Sequence, residues 1–97
     1  MRARWSKTAL IELDDIFRYI SERNRSAARS VVRRIEGLVS QLELFPYSGH
    51  DTDEPETWIL PAVRYPYVIL YSIDLAAGEI VVLHIRHTAR NPSPAED

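Results

Sequence analysis

Cysteine is absent from the 97 residues. That excludes a disulfide framework and thiol catalysis and removes the commonest structural zinc ligand. His50, His84 and His87 have no metal-binding spacing, so no metal or cofactor is expected. Glycine is scarce too: Gly37, Gly49 and Gly78 cannot build a phosphate-cradling loop, and no G-x-S-x-G turn supports a serine hydrolase. No run of about eighteen apolar residues occurs, and Arg2, Arg4 and Lys7 lead straight into a charged helical pattern rather than an apolar leader. A cytoplasmic protein without membrane association is expected. Internal repeats, low-complexity segments and interdomain linkers are also missing.

What remains is an ordinary globular composition, 45% hydrophobic and 27% charged. The length suits one domain, residues 1–97, with one two-layer core and a short polar tail from about residue 91. The net charge of −2 hides a division. Residues 1–50 carry nine basic and six acidic side chains, whereas residues 51–97 carry three basic and eight acidic. Averaged over the chain, this is not the footprint of a protein held to nucleic acid by phosphates alone. Eleven of the twelve basic residues are arginine, a bias compatible with bidentate pairing to an acidic partner and equally with GC-rich coding.

Period and punctuation give the elements. Ala3 to Trp5 reads as a short strand, and Ser6 can cap a helix from about Lys7 to Glu22. Ala9, Leu13, Ile16, Phe17 and Ile20 make its apolar stripe, with Glu12, Asp14, Asp15 and Arg18 facing away. Arg23 to Ser26 breaks the pattern, and Asn24 or Ser26 can cap a second helix to about Leu44, antiparallel to the first. Arg29, Arg33 and Arg34 gather on its exposed side. Pro46 forbids continuation and Gly49 is available for a positive-φ turn. Asp51, Asp53, Glu54 and Glu56 lack the glycine and distal glutamate of a calcium loop and read as an exposed acidic loop. Three strands follow: Trp58 to Val63, edge-like because of Pro61; Tyr67 to Ile73; and a strand from Ile80. The order β-α-α-β-β-β predicts an α+β two-layer domain, a helical hairpin on one face of a mainly antiparallel sheet.

The stretch Ile80 to Arg90 carries the chemistry. Regular alternation places Val81, Leu83 and Ile85 on one face and Ile80, Val82, His84 and Arg86 on the other. His84, Arg86, His87 and Arg90 then form the main concentration of proton-transfer and anion-gripping groups. RNA cleavage by the 2′-hydroxyl needs a base, an acid and a cation, and His84 or His87 with Arg86 or Arg90 would supply them. A packed histidine and arginines paired with acids would present the same pattern.

The ordered set Trp5-Ser6, Ala9, Leu13, Ile16, Tyr19-Ile20, then Leu42, Phe45-Pro46, Gly49, then Arg64 to Tyr71, then Val82 to His87 and Arg90 resembles the ParE/RelE superfamily of type II toxin-antitoxin toxins, across nearly the whole chain. The resemblance implies the same β-α-α-β-β-β fold, with the last strand inside the sheet beside the first. It also implies a toxin of the kind associated with plasmid stabilisation, bound by a cognate antitoxin in a hetero-oligomer such as a heterotetramer. RelE-like enzymes, which cut mRNA on the ribosome, carry an arginine after the tyrosine that opens the penultimate strand; here that position is Val68. They also use a basic residue in the preceding strand and an aromatic or histidine near the C-terminus. Trp58 to Val63 has no basic residue and nothing aromatic follows Tyr71, although Arg90 falls near the second catalytic arginine and His87 is available as an acid. The closer likeness is to ParE-like inhibitors of DNA gyrase, which are not nucleases. On that reading Arg64, Arg86, His87 and Arg90 are candidates for target contact. Arg29, Arg33, Arg34, Tyr67 and Tyr71 are candidates for an acidic, amphipathic antitoxin segment that folds on binding.

Overall fold

A computed structural model describes residues 1–90. The elements are β1 (Arg2–Trp5), α1 (Lys7–Ser21), α2 (Arg25–Leu44), β2 (His50–Asp51), β3 (Trp58–Ala62), β4 (Tyr67–Asp74) and β5 (Glu79–His87), followed by a 3-10 turn, Thr88–Arg90. The polar tail expected from about residue 91 lies outside the described residues. Both helices start where side-chain caps were expected. Ser6 Oγ accepts from Ala9 N–H at 3.0 Å, and Asn24, rather than Ser26, accepts from Ala27 N–H at 3.0 Å.

The sheet order is β1-β5-β4-β3-β2, with β1 parallel to β5 and every other pair antiparallel. The two helices pack on one face. From α2 come Val31, Ile35, Leu38, Val39 and Leu42; from the sheet come Ala62, Tyr67, Ile69, Tyr71, Ile80, Val82 and Ile85. β2 is an addition to the sequence reading: His50 and Asp51, expected next to or inside a loop, pair with Ile59 and Trp58. Because β2 is only two residues long, Pro61 lies past its end. On that side β3 is an edge, where a missing N–H costs nothing.

Alternation along β5 is broken. Leu70 pairs with His84 but Tyr71 pairs with Val82, leaving Leu83 as an extra residue in a bulge. The buried residues are therefore Ile80 and Val82 before the bulge and Ile85 after it. The regular-strand expectation, with Val81, Leu83 and Ile85 together, is corrected by that one residue.

The free edge of β5 is closed by α1. β1 stops at the pair Trp5↔Val82, yet β5 continues to His87. Ser6 N–H donates to Val82 O at 2.9 Å, and the Ser6 hydroxyl donates to Leu83 O at 3.0 Å. Glu12 Oε1 then accepts the Ile85 N–H at 2.9 Å. Glu12, placed by its helical period among residues facing solvent, instead substitutes for the strand that β1 is too short to provide.

Tyr71 ties the helix-to-sheet connection to the core. It is 0% exposed, and its hydroxyl donates to Pro46 O at 2.9 Å while accepting from Gly49 N–H at 3.1 Å. A Cβ on Gly49 would lie 2.6 Å from that hydroxyl and 2.7 Å from Ile59 O. Glycine is thus required for close approach and not for the positive-φ turn the sequence suggested. Burial pushes the Tyr71 hydroxyl above its ordinary value of 10.0, with the Gly49 N–H offsetting part of the effect. Above that pH the folded chain holds a proton the unfolded chain has lost, so this group's contribution is constant at lower pH and declines as pH rises past 10.0. Tyr71→Phe is expected to cost about 1–3 kcal/mol by orphaning the Gly49 N–H and Pro46 carbonyl. It is also expected to remove this alkaline decline; urea unfolding of both proteins on either side of that pH checks both effects.

Candidate functional site

The basic end of β5 divides between the two faces of the sheet. His84 and Arg86 lie on the face turned away from the helices, beside Leu70, Ser6 and Thr8, in a groove of about 340 Å³ that Glu54 and Thr57 close from the β2–β3 loop. His84 Nδ1 stands 3.3 and 3.4 Å from the two Glu12 oxygens. Both side chains are about one-third exposed, 32% for His84 and 27% for Glu12. Arg86 is directly across from Val68.

His87, displaced to the other side by the bulge, borders a second groove of about 290 Å³ with Asp15, Ile16, Tyr19 and Tyr67. Its ring meets Tyr67 edge-on, centroids 5.3 Å apart at 89°. Its Nδ1 accepts the Ala89 N–H at 3.0 Å, so a neutral ring carries its proton on Nε2. Arg23 lies over the Tyr19 ring at 4.5 Å. Acid–base catalysis needs groups within reach of one reacting atom, and His84 and His87 serve different faces of the sheet. The side chain of Arg90 lies outside the described residues; its backbone closes the 3-10 turn.

A third groove joins residues that the sequence kept apart. Arg33 and Arg34 from α2 and Arg64 from the β3–β4 turn border an open volume of about 850 Å³ with Ser30, Gly37, Val63 and Tyr65. Arg64 has φ 83°, a left-handed conformation unusual for a side chain of this size. Gly37 sits mid-helix with nothing within 4 Å of where its Cβ would be.

The residues suggested for antitoxin contact separate as well. Arg29, Arg33 and Arg34 are exposed on α2. Tyr67 is only 6% exposed and Tyr71 is enclosed with its hydroxyl in use, so Tyr71 is a core residue and offers no contact surface. Period-2 alternation put both tyrosines on one face but could not say which face the helices cover. Glu12 and Ser6 went unrecognised as edge acceptor and donor; the visible signal was a first strand shorter than the last. Among the described residues, no set of three His, Asp or Glu side chains could hold a metal ion.

Arg64 takes its positive φ as the third residue of the turn closed by Tyr65 N–H donating to Ala62 O at 2.9 Å, whereas the Gly37 hydrogen meets no neighbour that would require glycine. Gly37→Ala is expected to stabilise by about 0.5–1 kcal/mol through helix propensity. Arg64→Gly is expected to be neutral or stabilising by about 1 kcal/mol, since relieved backbone strain exceeds the added chain entropy. Urea midpoints at constant m-value check both; a loss in either variant would show an unrecognised packing role.

Comparison with known proteins places this geometry. Among the described residues, no helix is long and apolar enough to cross a membrane. The fold matches a solved structure described as "Chromosomal ParDE TA system from P. aeruginosa" with a TM-score of 0.77, at 23% identity, over 90% of this chain and 95% of that one. In sequence, the chain is 36% identical over 83 residues to "Putative toxin Y4kP" of Sinorhizobium fredii (strain NBRC 101917 / NGR234), covering 86% of each. Residues 3–92 match the family described as "ParE toxin of type II toxin-antitoxin system, parDE", and the chain belongs to that family.

Proposed function

We propose that this ParE-family toxin acts in the cytoplasm by binding DNA gyrase and blocking it, not by cutting RNA, and that a cognate antitoxin neutralises it. The observation that supports binding over catalysis is the division of the basic end. His84 is engaged by Glu12 on one face, while His87 packs on Tyr67 on the other. Val68, buried opposite Arg86, occupies the position where RelE-like enzymes carry an arginine. Two histidines on opposite faces cannot serve as the acid and base for one reacting atom.

The antitoxin reading draws on the helical face. Leu10, Ile11 and Tyr19 of α1 are 53%, 53% and 47% exposed. With the arginines of α2 they offer apolar and basic contacts suited to an acidic amphipathic segment that orders on binding.

The test is gyrase supercoiling of relaxed plasmid and cleavage of ribosome-bound mRNA, assayed with one toxin preparation. Supercoiling should stop as toxin saturates and recover on addition of antitoxin, with the mRNA intact. Uninhibited gyrase at saturating toxin would defeat the proposal. Cleaved mRNA, lost in His87→Ala, would assign the ribonuclease activity instead.

A further inference from the structure

We propose that the groove bordered by Arg33, Arg34 and Arg64 grips the phosphate backbone of duplex DNA. Three observations converge on it. First, among the described residues no ion pair or hydrogen bond engages the guanidinium of any of the three; the ion pairs present are Arg4–Glu79, Arg18–Asp14 and His84–Glu12. Three unpartnered guanidinium groups around one groove repel each other and favour an anionic ligand, which arginine binds bidentately. Second, Gly37 leaves helical backbone bare at the groove wall, as close approach of a ligand to backbone requires.

Third, the charge continues along α2. Arg25 and Arg29 precede Arg33 at four-residue steps and share its face, extending the ridge by about 12 Å along the helix. The first turn of α2 holds no acidic residue, so Arg25 opposes the helix dipole at some cost in stability. The acidic loop lies elsewhere, its Glu54 bordering the groove beside His84.

The chemistry of the walls selects the occupant. A peptide helix docks through apolar anchors at helical spacing, but among the described residues Val63 and Tyr65 are the only large apolar walls. A single strand needs exposed aromatic platforms for its bases, and among the described residues Tyr65, half-buried against the core, is the sole aromatic in the groove. Paired strands with regularly repeating phosphates meet both conditions. The choice of DNA over duplex RNA rests on the gyrase reading, since gyrase presents the toxin with duplex DNA.

Fluorescence anisotropy of a labelled DNA duplex with the full toxin, without gyrase, tests the inference across a salt series. Three neutralised phosphates predict a slope of log K against log salt of about −2.7 or steeper. Arg33→Ala/Arg34→Ala/Arg64→Ala should weaken binding roughly tenfold or more and flatten the slope. Gly37→Glu should also weaken it while leaving the fold at least as stable, because the new carboxylate neutralises the neighbouring Arg33; Lys7→Glu on α1 should change little. The inference is overturned by absent binding at low salt, by unchanged binding in the triple variant, or by tighter binding of duplex RNA. Toxin that binds DNA through the groove yet leaves gyrase active would sink only the proposed target. Toxin that inhibits gyrase without binding DNA would sink only the groove.

Discussion

A nine-residue strand with a four-residue neighbour is the constraint on which this fold depends. β5 sits inside the sheet, but β1 covers only its first half. The remaining N–H and C=O groups would form an open edge, costly if buried and hazardous if exposed. Helix α1 resolves this with two side chains. The Ser6 hydroxyl both caps α1 and reaches Leu83 O, and the Glu12 carboxylate takes the Ile85 N–H. The helix is thereby held against the strand at Leu83 and Ile85.

The bulge at Leu83 decides which face each group meets. One extra residue turns Ile85 and His87 to the helical side and His84 and Arg86 to the open side. Strand alternation then keeps His84 and His87 in separate grooves. The end of β5 has two local arrangements, His84 with Glu12 and His87 with Tyr67.

Both helices, both caps and the interior position of the last strand were legible because each depends on local pattern: apolar stripes of helical period, a serine or asparagine ahead of them, and a strand apolar on both faces. The bulge was not legible, since Leu83 differs in no local way from its neighbours and only register against Leu70 and Tyr71 reveals it. Nor was the core role of Tyr71, whose hydroxyl partners lie 22 and 25 residues away. The arginine groove needed tertiary structure to carry Arg64 to α2. The one local oddity beside it, glycine at position 37 within a helix, was visible in the sequence.

In this fold an α1 carboxylate stands in for a missing strand. Amide hydrogen exchange at Ile85 measures it most directly, comparing the native chain with Glu12→Ala. Protection of the Ile85 amide like that of amides within the β4–β5 ladder, lost in the variant while the ladder stays protected, is the predicted result. An Ile85 amide that exchanges freely in the native chain, or equally slowly in both, would contradict it.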